Sequence, residues 1–174
     1  MKKLVGHLKT VLHHKKLVFI FCVKAGIPLR GFLHDLSKFS PTEFIGSVRY
    51  YSDGKRSPTV AERRDKGYSA VWLHHKGRNK HHFEYWIEFN WNGQPTYVCP
   101  MPLVYVKEMF CDRLAATKTY LKDRYTDRAP LEYYIAKNER AFMHEKTAEI
   151  LERALLTLAE SGENAALSYL KSLK

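Results

Sequence analysis

The chain has 174 residues, 45% hydrophobic and 27% charged, which excludes a disordered polypeptide and suffices for one domain, residues 1–174, around a single core. A formal charge of +11 points to anionic partners: phosphorylated small molecules or nucleic acid. The three cysteines, Cys22, Cys99 and Cys111, lack CxxC spacing, which argues against a disulfide-stapled secreted scaffold and for reduced thiols in a cytoplasmic protein.

From the N-terminus, residues 3–25 carry apolar side chains at helical spacing: Leu4, Leu8, Val11, Leu12, Val18, Phe19 and Cys22. Gly26, with Pro28 beyond it, marks the helix end. The longest apolar run here, Leu17 to Val23, is too short to span a bilayer. Histidines before it, and no small-residue cleavage site, argue against a signal peptide, so the segment is read as a buried helix. No membrane contact is expected.

A short helix is predicted over Phe32 to Lys38, carrying the adjacent pair His34-Asp35. "SPTE" at Ser40 to Glu43 reads as an N-cap, a proline at the first helical position and a capping-box glutamate, which starts a helix running to about Tyr51. "SDGKRSPT" is a loop by composition. A helix follows from about Val60 to Lys76, stopped by Gly77. The segment "HHFEYWIEFNWNGQPTYVCP" mixes signals: its start is compatible with continued helix, while Asn92-Gly93 suggests a turn between short strands, an insertion around 89–98. Pro102 to about Tyr120 is helical, with Val106, Met109, Phe110 and Leu114 on one side. Residues 131–160 form a long or broken helical stretch and 164–173 a shorter one. The expected class is all-α, or mainly α.

The polar residues that such a chain buries carry the chemistry. Nine histidines is a high number for this length. His7 and His14 are seven apart and share a helix face; His13 falls on another. His74, His75, His81 and His82 form two pairs, again seven apart. Asp112 stands between Phe110 and Leu114, where an unpartnered carboxylate is costly. Imidazole and carboxylate together suit Mn, Fe, Co, Ni or Zn. Singly, each histidine fits a hydrogen-bonded core position or a helix cap, and Asp112 a pairing with Arg113. Spread over four helices, they point together to one centre.

The order His14, His34-Asp35, Asp112 resembles the signature of the HD superfamily of metal-dependent phosphohydrolases, and "HDLSK" is similar to its HD motif. The similarity spans about residues 7–118, with residues 131–173 as C-terminal helices. "HDLSKFSPTEF" and "HHKGRNKHHFEYW" also look like strings of a bacterial family of small proteins without an established function. The HD resemblance implies a helical bundle that sends one ligand from each helix to one site. His14, His34, Asp35 and Asp112 would hold a first ion, with Asp35 bridging to a second. His75 and His82 would hold the second, with His74 and His81 as the equally spaced alternative and His7 as a competitor for the first ligand. One or two ions are compatible with the pattern. Lys38, one turn after Asp35, would meet a phosphoryl oxygen. Arg78 and Lys80 would bind substrate, and Asn79 would orient the water or a substrate hydroxyl. Tyr85, Trp86, Phe89 and Trp91 are compatible with either a stacking wall or core, and Tyr133 and Tyr134 are expected to pack. His144 lies outside the pattern.

The reading is therefore a phosphohydrolase acting on a nucleotide or other small phosphoester through a metal-activated water. A di-iron oxygenase using the same cage, or a non-catalytic basic nucleic-acid-binding protein, are the alternatives.

Overall fold

A computed structural model describes residues 1–89 and 96–174. The fold is mainly α, 74% helical, with eight helices and one two-stranded sheet among the described residues. The long helices are α1 (Lys2–Lys24), α6 (Leu103–Leu121) and α8 (Glu145–Ser172). The shorter ones are α2 (Pro28–Leu33), α3 (Pro41–Arg49), α4 (Pro58–Lys66), α5 (Ala70–Lys76) and α7 (Ala129–Ala136). Strands β1 (Ile87–Glu88) and β2 (Tyr97–Val98) pair antiparallel, Ile87 opposite Val98 and Glu88 opposite Tyr97. The expected turn at Asn92-Gly93, and Trp91, lie outside the described residues. No helix among the described residues is long and apolar enough to cross a membrane.

The apolar core lies between α1, α6 and α8. Phe110 and Leu114 of α6 meet Leu151, Leu155, Leu158, Leu167 and Leu170 of α8, all fully or almost fully buried. Burying each such side chain stabilises the fold by about 1.5–3 kcal/mol relative to exposure. Val106 and Met109 join them, as the α6 periodicity predicts. In α8 the helical backbone breaks at Gly162 (φ 83°, ψ 177°), which separates the two C-terminal stretches expected from the sequence.

Three expectations change. The stretch from Val60 to Lys76 is two helices, because α4 stops at Gly67 in the left-handed region (φ 80°) and Ser69 caps α5 by accepting the Trp72 N–H at 3.0 Å. Past Gly77 the chain does not resume an α-helix but makes a 3₁₀ turn at Phe83–Trp86. The His34-Asp35 pair is not inside a helix: α2 ends at Leu33, and Asp35 starts a 3₁₀ turn over Leu36–Phe39. The predicted start of α3 holds, with the Ser40 Oγ accepting the Glu43 N–H at 3.4 Å.

Candidate metal centre

The centre forms where α1 and α6 cross the turn after α2 and the segment after α5. Gly31 on α2 sets the approach: a Cβ there would lie 2.6 Å from the Cys22 Cβ and 3.1 Å from the Phe19 Cα of α1. Only a glycine lets α2 come so close, and His34 follows three residues later. Lys15 of α1 fixes that turn by donating to the carbonyls of Phe32 (2.8 Å) and His34 (2.6 Å). Asp35 is then held at φ 53°, ψ 32°. Left-handed backbone costs a non-glycine residue roughly 1–2 kcal/mol, though aspartate tolerates it better than most. The strain turns the Asp35 carboxylate inward, where it is 3% exposed.

Around Asp35 two sets of four side chains converge. His14, His34, Asp35 and Asp112 form one, and Asp35, His75, His81 and His82 the other; within each set the potential ligand atoms all lie within 4.8 Å of one another. The separations are close: His14 Nε2 to Asp112 Oδ1 3.0 Å, His34 Nε2 to Asp35 Oδ2 3.1 Å, and His75 Nε2 to Asp35 Oδ1 3.4 Å. His81 Nε2 lies 3.5 Å from Asp35 Oδ1 and 3.6 Å from Asp112 Oδ2. The Nε2 atoms of His14, His34, His81 and His82 are buried and have no aligned hydrogen-bond partner among the described residues. Unsatisfied buried polar atoms are rare in folded proteins, and four imidazole nitrogens around two carboxylates fit a divalent transition metal.

A second ring of carboxylates orients these imidazoles. Glu108 Oε1 lies 3.0 Å from His34 Nδ1 and 3.3 Å from His81 Nδ1, while its other oxygen pairs with Arg30 at 2.7 Å. Glu43 takes His74 Nδ1 at 2.7 Å and His75 Nδ1 at 2.8 Å. A carboxylate on the outer nitrogen turns Nε2 toward the centre, the usual support of a metal-bound histidine. Glu108 lies one turn before Asp112, so helical spacing places both on one face of α6. Glu43 is the capping-box glutamate, whose side chain serves histidines instead of the cap. From the sequence, Glu43 is read only as a cap and Glu108 is not singled out at all.

The charges are mutually consistent. Burial alone would raise Asp35 and Asp112, but His34, Lys38 and His75 hold Asp35, and His14 and His34 hold Asp112, well below the usual carboxylate range. Glu108, despite its burial, is held down to about 2 by hydrogen bonds with His34 and His81. Burial, then Lys38, lowers His14; burial, then His81 and His75, lowers His82 further. Burial opposes a proton on His34 as well, yet Asp35, Asp112 and Glu108 raise it well above the imidazole range. The negative field that keeps this proton is one that attracts a cation.

Of the residues expected in the cage, His14, His34, Asp35, His75, His82 and Asp112 are all brought together. The choice between spaced pairs dissolves, because His81 joins His75 and His82 while His74 turns to Glu43. His7 is buried elsewhere, its ring 5.2 Å from Phe44 and 5.8 Å from Tyr51. Lys38 lies 2.6 Å from Asp35 Oδ2 at the rim, where Asp112 is also partly exposed (18%). Asn79 does not face the centre with a free amide: it donates to the Ser37 Oγ and the His75 carbonyl, both at 2.8 Å, and so braces His75.

Arg78 and Lys80, the expected substrate contacts, are both exposed in the turn after α5; Arg78 reaches back to the His74 carbonyl at 3.5 Å, and the Lys80 ammonium sits over the Tyr85 ring. Between and beside them, Asn79 and His81 are buried. Trp86 belongs to the packing rather than a free wall, with its indole N–H bonded to the Lys80 carbonyl. Tyr134 packs as expected, whereas Tyr133 is 54% exposed. His144 caps α8 by accepting the Lys146 N–H at 3.2 Å.

No curated protein and no solved structure matches the chain. The family comparison does find a match: residues 3–157 fit the family of unknown function DUF5662, and the chain belongs to that family.

Proposed function

We propose that the protein is a metal-dependent phosphohydrolase of the HD kind, whose one or two divalent ions would be held by two ligand sets that share Asp35. The carrying observation is the pair of four-residue sets joined at Asp35, with four buried imidazole Nε2 atoms that have no aligned hydrogen-bond partner among the described residues. His14, His34 and Asp112 complete one ligand set; His75, His81 and His82 complete the other. When bound, such ions bring the pKa of a coordinated water toward neutrality and polarise a phosphoryl oxygen.

The protein's own groups do the rest. Glu108 and Glu43 fix the imidazole orientations, and Asn79 holds His75. Lys38 stays charged at the rim, where it neutralises a phosphoryl oxygen beside Asp35. In the reaction a water oxygen bonds to phosphorus, the bond from phosphorus to the ester oxygen breaks, and one proton of that water ends on the departing alkoxide, which leaves as an alcohol, while the other stays on the phosphate. A nucleotide or other small phosphoester is the substrate class. The three free cysteines suit a reducing, cytoplasmic setting.

The test is elemental analysis of untagged wild type and Asp35→Asn, followed by phosphate release from a panel of phosphomonoesters. One or two equivalents of metal and hydrolysis in the wild type, both lost in the variant, are expected. Iron with oxygen consumption and no phosphate release would replace hydrolysis with oxygenase chemistry. A wild type that stays metal-free after reloading with Mn, Fe, Co, Ni and Zn would overturn the reading.

A further inference from the structure

A cleft of about 500 Å³ lies between the N-terminal half of α1 and the C-terminal end of α6, and Lys9, His13, Tyr51 and Lys122 contribute to its lining. Measured along the helices, its Lys9 precedes His14 by five residues, about 8 Å, and its Lys122 follows Asp112 by ten, about 15 Å, spans that the long lysine side chains shorten. Asp112 and Lys38, the partly exposed groups of the centre, mark the side from which it is reached.

The cleft is built rather than incidental. A Cβ at Gly6 would lie 2.7 Å from the Tyr51 Cε1, so glycine there lets the tyrosine seat against α1. The Tyr51 hydroxyl and the Thr10 Oγ1 are 3.2 Å apart, which ties the segment after α3 to the cleft wall. Lys122 takes φ 52°, ψ −122° at the end of α6, a conformation that glycine alone adopts readily. The chain retains a lysine there, and its ammonium makes no ion pair among the described residues; neither does that of Lys9. Lys118 is committed to Glu163 at 2.6 Å, and Asp53 is the one carboxylate on the lining, exposed at the rim.

Resting on the phosphohydrolase reading, we propose that this cleft is a second anionic subsite of the same substrate site: Lys9 and Lys122, with His13, hold a phosphate that is not cleaved while another sits at the metal centre. The substrate class is then a bisphosphate, or a phosphomonoester carrying a second anionic group, rather than a simple monophosphate. Two free ammonium groups are suited to a phosphate dianion as point charges.

The test is equilibrium binding of adenosine 3',5'-bisphosphate and of adenosine 5'-monophosphate to the metal-loaded full chain. Wild type should prefer the bisphosphate by about tenfold or more, and Lys9→Ala/Lys122→Gly should bring the two ligands within about twofold. Lys122→Gly suits that backbone, so folding should survive, and each single variant gives an intermediate ratio. Lys146→Ala/Lys174→Ala removes the same charge elsewhere and should keep the wild-type ratio. Equal binding of both ligands by wild type, persistence of the preference in the cleft variant, or its equal loss in the distant control would each overturn the subsite. Metal-free protein without hydrolysis, but with the preference intact, would overturn the hydrolase and keep an anion site. Hydrolysis with no preference would do the reverse.

Discussion

Two cores meet on α6, and they are made of opposite materials. On one side, Phe110 and Leu114 pack against the leucines of α8 and bury hydrocarbon alone. On the other, Glu108 joins His14, His34, Asp35, Glu43, His75 and His81, all less than a tenth exposed, with partly exposed Asp112 at their rim. The first core stabilises the fold simply by leaving water. The second takes ionised groups out of water, which costs several kcal/mol per ion unless partners repay it. Stability alone does not call for the second core, whose groups form two sets able to hold a metal ion.

The comparison can be broken or sharpened by experiment. The largest effect is expected in the apolar core: Leu155→Ala should cost roughly 2–5 kcal/mol in denaturant unfolding while the folded fraction keeps its metal stoichiometry. Loss of stoichiometry there would show that the two cores are not separable. Chelation should act on the other side. At a free-ion concentration about one hundred times Kd, binding contributes about 2.7 kcal/mol, so stripping the metal should lower the melting temperature by several degrees. In hydrogen exchange, protection should fall at Pro28–Arg49 and Ala70–Lys76 and persist in α8; loss concentrated in α8 would contradict the assignment. Glu108→Gln keeps the volume but weakens the support of His34 and His81, and metal affinity should drop about 10–100-fold. An unchanged Kd in a metal titration would reduce Glu108 to an ordinary buried acid. Ser40→Ala removes the α3 cap and touches only the backbone N–H of Glu43, not its carboxylate; it should cost about 1 kcal/mol in thermal melts and leave the metal content alone.

How far the sequence could be read depends on which core a residue belongs to. The apolar face of α6 was legible because Val106, Met109, Phe110 and Leu114 follow helical spacing and do bury together. In α1 the same rule found Val11, Val18 and Cys22, which are buried, but misled at other positions. Leu4, Leu12 and Phe19, chosen for hydrophobicity, are 48%, 50% and 42% exposed, whereas the buried stripe runs through His7, Val11, His14, Val18 and Cys22. Periodicity weighs residues by hydrophobicity and so discounts a histidine that faces inward to a centre. The cage itself was found through residue types and their order, not through periodicity. Glu108 and Glu43 escaped because a glutamate on a helix usually meets solvent or a cap, and nothing local says otherwise.

By itself, then, the sequence determined the mainly helical class, the α3 cap and the apolar side of α6, which depend on residue type and short-range spacing, properties of the chain alone. The expected cage came from the HD resemblance, which left the choice among the histidine pairs open. Only the tertiary structure decided that His81 joins His75 and His82 while His74 turns to Glu43. It also decided that Asn79 braces His75 and that Arg78 and Lys80 are exposed. Those outcomes depend on where α5 ends, how the turn after it bends, and how close Gly31 lets α2 come to α1. Adjacent histidines with the same spacing are equivalent on the chain. They become different only in the fold: Glu43 takes Nδ1 of both His74 and His75, but it is His75 whose Nε2 comes within 3.4 Å of Asp35.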